Sequence, residues 1–274
     1  MLCGRARMTD YVHGYEDAES RRLWDQALTL TDLLHGDTRY PAGASVLEAG
    51  CGAGAQAVTL VRMSPGARFT AIDLKAASLA EAARAAREAG TGEVEFQVAD
   101  VLKLPYPDSS FDHAFVCFLL EHLAEPVKAL AELRRVIRRG GTLTVIEGDH
   151  GSAYFHPDSA FARAAVACQV ALQAEAGGDA MIGRRLYPLL VAAGFHRPRV
   201  SPRQVYVDGS RPDLIEGFTL KTFTAMIAGV RDRTLAAGLA TPETFDRGVA
   251  DLARTAAPDG GFCYTFFKAV ALKG

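Results

Sequence analysis

The stretch Ser45-Val-Leu-Glu-Ala-Gly-Cys-Gly-Ala-Gly-Ala55 decides how this chain is read. Val46 and Leu47 open an apolar run that passes through Glu48 into three alternating glycines, Gly50, Gly52 and Gly54, and a helical pattern starts at once after them. A strand that feeds a glycine turn and then a helix aims main-chain N–H groups at whatever lies over the strand's end. Glycine is needed there because a Cβ would block the turn or a ligand's close approach. Gly50, Gly52 and Ala55 also satisfy the dinucleotide fingerprint with alanine in its last place. Glu48 points elsewhere: a carboxylate ahead of the turn suits a ligand with a cationic end, not a pyrophosphate.

Three features further along the chain bear on that choice. Asp73 ends Arg68-Phe-Thr-Ala-Ile-Asp73, a second strand about 20 residues beyond the turn, where an acid can hold both ribose hydroxyls. Its structural alternative is a cap for the Ala-rich helix that follows. Asp100 ends Val94-Glu-Phe-Gln-Val-Ala-Asp100, a third strand, and suits an adenine amino group or a plain turn. Phe111-Asp-His-Ala-Phe-Val-Cys-Phe118 is an apolar strand announced by Pro105, Pro107 and Asp108.

In order and spacing these signals resemble the class I S-adenosylmethionine-dependent methyltransferases, over about Ser45 to Gly151. The residues that carry the likeness are EAGCGAG, AID, VADVLKLPYPDSSFDHAF and RRVIRRGGTLTVIEGD. The resemblance implies that the turn Gly50-Cys51-Gly52-Ala53-Gly54 holds the methionine part of S-adenosylmethionine. It also implies ribose on Asp73 and adenine on Asp100, with Val101 at the adenine edge and Leu74 on its ring. The cationic end of that cofactor, with its ammonium and sulfonium, agrees with Glu48. The segments YVHGY, LLHGDTRYPAG, EGDHGSAYFHP and VYVDGSRPDLIEGF further resemble a bacterial and archaeal small-molecule branch, and natural-product C-methyltransferases of the teleocidin type. That likeness implies methylation of a prenyl olefin on an indole alkaloid, with coupled terpene cyclisation.

Strands at Val46–Ala49, Phe69–Asp73, Val94–Val98, Phe111–Val116 and Thr142–Glu147 alternate with helical patterns near Ala53–Met63, Ala76–Ala89 and Pro126–Ile137. This alternation predicts an α/β fold, a doubly wound, Rossmann-like, mostly parallel sheet with helices on both faces. Gly140-Gly141 reads as the stop of the last of these helices. The spacing of Leu23, Ala27, Leu30 and Leu34 predicts an N-terminal helix over Glu16–Leu34. Beyond Gly151 the pattern gives helices at Asp158–Glu175 and Met181–Ala193 and a strand at Arg199–Val207. Helix resumes from Arg211 to about Ala257, and Phe262–Ala271 closes as a strand. About fifty residues between the last two strands are too many for a loop in a compact domain. The expected division is an N-terminal arm and helix (1–40), a cofactor-binding core (41–210 and 259–274), and a helical cap (211–258) inserted before the last strand.

Composition sets bounds. The 274 residues are 49% hydrophobic, ample for a packed core, and 30 basic against 32 acidic residues leave a net charge of −2. That balance indicates neither a nucleic-acid footprint nor a membrane-surface patch. Cys3, Cys51, Cys117, Cys168 and Cys263 lack metal-ligand spacing and read as free thiols in a reducing cytoplasm. No metal site is expected. MLCGRARM lacks the apolar core of a signal peptide, and Met8 is an alternative start.

Tyr11-Val-His-Gly-Tyr15 precedes the first helix; Tyr15 can close over the cofactor's methionine end and Arg22 can hold its carboxylate, or the arm packs on a neighbouring subunit. The apolar N-terminal helix itself offers a subunit contact. After the fourth strand, Phe118 is placed to line the path between sulfonium and acceptor, with Glu121 or His122 as base. After the fifth, Asp149 with His150 can deprotonate an acceptor, on a rim shared with Tyr154, Phe155 and His156. Their alternative roles are caps, turns and core. An apolar pocket for a carbon acceptor would draw walls from Tyr154, Phe155, Tyr187, Tyr206, Phe218 and Phe223. The reading is therefore methyl transfer to a small-molecule acceptor in secondary metabolism, with His150, Glu121, Tyr187 and Tyr206 as catalytic candidates. Transfer to oxygen or nitrogen, a nicotinamide oxidoreductase and a non-catalytic cofactor sensor are the competing readings.

Overall fold

The computed structural model describes residues 17–91 and 93–274. The first helices are α1 (Asp17–Thr29) and α2 (Thr31–His35), two elements where the sequence pattern suggests one. Then come β1 (Ser45–Ala49), α3 (Ala55–Met63), β2 (Arg68–Asp73), α4 (Ala76–Glu88), β3 (Glu95–Val98) and β4 (Phe111–Cys117). The chain continues through α5 (Pro126–Val136), β5 (Ile137–His156), α6 (Ala160–Glu175), α7 (Leu186–Ala192) and β6 (His196–Asp208). Between β6 and β7 (Gly261–Leu272) lie α8 (Pro212–Leu214), a π-helix at Ile215–Thr224, α9 (Ala225–Gly229), α10 (Arg231–Ala236) and α11 (Pro242–Arg254). Helices therefore do occupy the long connection.

The seven strands form one sheet in the order β3-β2-β1-β4-β5-β7-β6. The first five run parallel, and β7 runs antiparallel to both neighbours. This is the doubly wound, Rossmann-like architecture expected from the alternation of strands and helices. The central strands are buried on both faces, which is why β1 and β4 read as nearly unbroken apolar runs. Helix α5 shows the packing rule. Pro126 starts it without wasting a donor, and Ala129, Leu130, Leu133 and Val136 bury one stripe at three- and four-residue spacing. Each large member of such a stripe contributes roughly 1.5–3 kcal/mol by burial.

Two expectations are corrected. Gly140-Gly141 does not end a helix: α5 stops at Val136 and both glycines lie inside β5. A Cβ on Gly141 would sit 2.2 Å from the Asp112 carbonyl oxygen, so glycine lets β5 close onto β4 where their register shifts. Nor does β5 end at Glu147. It runs on to His156, pairing with β7 past an irregularity between Asp149 and Tyr154. The rim segment is thus strand on either side of a bulge at 150–153, where Asp149 accepts from the Gly151 amide at 3.1 Å in an Asx bond.

One buried charge joins two segments far apart in sequence. Lys268 on β7 is almost wholly enclosed, and its Nζ donates to the Leu34 carbonyl at 3.1 Å and to Asp37 and Thr38. It fastens the end of α2 to β7, one strand in from the sheet's edge.

Candidate active site

In a parallel sheet the C-terminal ends of β1 to β4 share one edge, and a cavity of about 470 Å³ opens over it. Its first end is made by main chain. The amides of Gly50 and Cys51 both donate to the Ile72 carbonyl, at 2.8 and 3.0 Å, which bends the chain back over β2. Gly52 (φ +50°) has no atom within 4 Å of where a Cβ would stand, so its open side faces the cavity it lines. Gly54 (φ +84°) caps α3, and a Cβ there would lie 2.8 Å from that of Ala82 on α4.

Asp73 closes this end. Its carboxylate accepts from the Gly52 amide at 3.0 Å and the Lys75 amide at 2.9 Å, so it pins the turn as well as facing the cavity. Asp100 is fixed by the Leu102 amide at 2.8 Å, and Leu74 and Val101 line the same space. Glu48 stands behind the turn, 2% exposed, with Oε2 unpartnered. Burial first, then the charge of Asp73, pushes its carboxyl up to about 8. Arg22 is buried, lines the cavity and donates to Gln26 at 3.1 Å. Tyr15 lies outside the described residues.

The other end is aromatic. Phe118 follows β4 in the left-handed region (φ +55°), a strained setting for a large side chain, held by its amide's bond to the Ile146 carbonyl at 2.9 Å. Its ring lies 5.5 Å from that of Phe266. Phe218 and Phe223 enter from the π-helix, and Tyr264 and Phe266 from β7. Phe218 is 5.9 Å from both Tyr264 and Phe266, and Phe223 is 5.5 Å from Tyr264.

Polar groups interrupt this wall at a few points. His150 Nδ1 is 2.8 Å from the Tyr264 hydroxyl, while Nε2, equally buried, has no partner. Burial pushes the imidazole below its ordinary range, against the opposing pull of Glu121. Glu121 accepts from Gln173 at 3.2 Å, and burial raises its carboxyl. Behind it Glu147 accepts from the amides of Leu119 (3.1 Å) and Leu120 (2.8 Å), and burial raises it well above the carboxylate range. Asp149 is engaged elsewhere: Arg184 grips it with two bonds of 2.6 and 2.7 Å. It is a structural anchor and does not orient His150.

The structure therefore brings Arg22, Gly50, Cys51, Gly52, Asp73 and Leu74 to one cavity with Asp100, Val101, Phe118, Glu121, His122 and His150. It does not bring Tyr187 or Tyr206 there. They are 56% and 58% exposed, Tyr187 on the outer side of α7 and Tyr206 on the solvent face of β6. Tyr154 is likewise on the surface, bonded to Gln204 at 3.2 Å. Phe155 stacks on Phe262 outside the lining. Sequence reasoning missed Gln26, Gly148, Met226, Tyr264 and Phe266, all of which line the cavity. The alternation Phe262, Tyr264, Phe266 was the available signal for β7. Among the described residues, no group of three or more His, Cys, Asp or Glu side chains could hold a metal ion, and no helix is long and apolar enough to cross a membrane. Cys51, Cys117, Cys168 and Cys263 are free and buried.

Comparison with known proteins adds three findings. Residues 47–145 match the model of a methyltransferase domain family. An uncharacterized 37.1 kDa protein in transposon Tn4556 of Streptomyces fradiae is 36% identical over 190 residues, covering 68% of this chain and 54% of that one. The 27-O-demethylrifamycin SV methyltransferase of Amycolatopsis mediterranei is 34% identical over 134 residues, covering 48% and 49%. The chain thus spans about half the length of the curated relatives it matches. Among solved structures, the [4+2]-cyclase SpnF aligns over 89% of this chain and 79% of its own, at 26% identity and a TM-score of 0.57.

Proposed function

We propose that the chain, whose residues 47–145 match a methyltransferase domain, transfers a methyl group from S-adenosylmethionine to carbon of a small secondary metabolite. The observation that carries this is the two-ended cavity, acids and glycine turn at one end and a wall of five aromatic rings at the other.

The first end fits S-adenosylmethionine. Gly52 leaves open the space that a Cβ would fill, and Glu48 stands buried behind the turn, where a ligand's cationic end would favour its charged form. Asp73 and Asp100 stand as ribose and adenine partners, with Gly50 to Gly54 along the methionine part and Arg22 at its carboxylate. When bound, that cofactor supplies a methyl group already activated on a sulfonium, so the protein's task is alignment and exclusion of water.

The aromatic end suits an electron-rich acceptor. As a π bond gives its electron pair to the methyl carbon, positive charge develops on the acceptor. The faces of Phe118, Phe218, Phe223, Tyr264 and Phe266 stabilise such charge without offering a nucleophile. A prenyl olefin on an indole is an acceptor of this kind. The resulting cation can then close a ring before a proton is lost. The likeness to a protein described as a [4+2]-cyclase supports a fold that shapes ring closure. The helices of 211–258 act as the cap over this end, since the π-helix contributes Phe218 and Phe223.

A second reading has its own observation. His150 lines the cavity and its buried Nε2 has no partner, a residue type that can serve as base for an oxygen acceptor. Single-turnover transfer of labelled methyl, with the label located in the product, separates the two. Carbon-bound label is the expected result, and label on oxygen or nitrogen overturns the carbon reading. Loss of a base costs roughly 100–10,000-fold, so transfer that survives in His150→Asn points the same way.

A further inference from the structure

Among the described residues that line the cavity, Asp73 and Asp100 stand at the strand ends of the glycine side and Glu81 on α4, which leaves Glu121 as the carboxylate on the β4 side. It lies in the short turn Leu120–His122, with 10% of its side chain open. Two buried amides place it. On α6, within an apolar stripe of Ala162, Ala165, Val166 and Leu172, Gln169 and Gln173 are almost completely enclosed. Gln169 Nε2 donates to Gln173 Oε1 at 2.8 Å, and Gln173 Nε2 donates to Glu121 twice, to its carbonyl at 3.0 Å and to Oε2 at 3.2 Å. The Asp179 amide donates to the same carbonyl at 2.8 Å, and a Cβ on Gly178 would stand 2.3 Å from it, so the chain leaving α6 closes directly onto Glu121. Buried amides are costly unless bonded, and these two form a chain that ends on one carboxylate.

Oε2 is thus engaged, and Oε1 lies 3.6 Å from His122 Nε2. The charges that bear on the carboxyl are those of His150 on β5, Arg22 on α1 and Asp179, with Glu147 behind it. His150 in turn lies 6.1 Å, ring to ring, from Phe223, so the carboxyl stands beside the aromatic wall. Burial raises it, against the pull of His150 and Arg22, and a positive charge brought next to it would restore the carboxylate. Ring faces and a carboxylate select the same kind of ligand, since both lower the energy of a cation.

We infer that Glu121 is the counter-charge for an organic cation held at the aromatic end, and that Gln173, backed by Gln169, is the residue that positions it. The cation is the one that methyl transfer to a π bond leaves on the acceptor, and a stable amine of the same shape shares its chemistry. The inference rests on the carbon-methylation reading and deepens it, by giving the charge that forms on the acceptor a fixed partner.

Two probes of one shape test this without turnover. Gramine carries a protonated dimethylamine on an indole, and 3-isobutylindole is its neutral counterpart. Each is titrated into protein saturated with S-adenosylhomocysteine. Gramine should bind more tightly, and the ratio of the two affinities should fall about tenfold in Glu121→Gln and about threefold in Gln173→Leu. A variant that only loosened the fold would weaken both probes alike. A ratio unchanged in Glu121→Gln overturns the proposal. So does a loss of S-adenosylhomocysteine affinity in that variant as large as the loss for gramine, because the carboxylate would then serve the cofactor's ammonium. Carbon NMR of protein labelled in its glutamate carboxyls reads the contact directly: the signal missing from Glu121→Gln should move with gramine and stay with 3-isobutylindole, and equal movement overturns the assignment. A protein that keeps the gramine preference and transfers no methyl would refute the proposed activity alone, while carbon-bound methyl with an unchanged ratio would refute the counter-charge alone.

Discussion

The two ends of the cavity are built by different means. The glycine end is made from main chain and two acids, Asp73 and Asp100, set just where consecutive strands stop, so these participants lie within a few residues of a strand terminus. The aromatic end is gathered from β4, β5, β7 and the π-helix, residues as far apart in sequence as Phe118 and Phe266. The first is a local device repeated along the sheet edge, and its geometry follows from backbone conformation. The second exists only once the whole sheet has formed. A change at one end should therefore leave the other intact, and that independence can be tested.

The largest expected effect is at the glycine end. Gly52→Val places a branched side chain at φ +50° and into the open space of the cavity. Titration with S-adenosylhomocysteine should show a loss of more than about hundredfold, roughly 2.7 kcal/mol, while circular dichroism stays native. Retained affinity would mean that the turn does not face the ligand. Next, Phe223→Leu should change the rate or the product distribution of methyl transfer and leave S-adenosylhomocysteine affinity within about twofold, with a stability cost below about 1.5 kcal/mol. An equal loss in both readouts would join the two ends that the geometry separates.

The smallest effect is a slope. The Glu48 carboxyl rises from 4.5 to about 8 on folding, so the native state holds a proton that the unfolded chain has released. The stability this contributes is fully present below about pH 4.5 and is lost as pH rises toward about 8. Glu121 and Glu147 add declines of the same sign in wild type and variant alike. The wild type's melting temperature relative to Glu48→Gln should therefore fall between about pH 5 and about pH 8. A constant difference would show Glu48 already ionised in the folded protein.

The same contrast explains what could be read from the sequence. That Gly52, Asp73 and Asp100 would meet at one cavity was legible because a doubly wound sheet delivers successive strand ends to one edge, whatever the details of packing. Tyr206 was misplaced because β6 is an edge strand with polar residues on both faces, Arg203 and Gln204 among them, so alternation did not reveal which phase faces inward. Tyr187 sits on a helix whose buried positions are Leu186, Leu189 and Leu190, a stripe that leaves it outside. The extension of β5 to His156 was hidden by the glycines and by the Asx bond of Asp149, which mark the bulge between its two paired stretches. The π-helix has no simple sequence signal, yet it supplies two of the five rings.

The order of synthesis gives Lys268 a further significance. Among the described residues β6 pairs with no strand but β7, and β7 belongs between β5 and β6, so two strands wait with open edges while the helices of 211–258 are still being made. When β7 arrives it fills that slot, carries Tyr264 and Phe266 into the aromatic wall, and brings the ammonium that fastens the end of α2. The nascent chain thus has its glycine turn long before it has a finished acceptor chamber. β7 acts as a keystone: until it is seated, a partly made chain exposes unpaired backbone and lacks a complete place for chemistry.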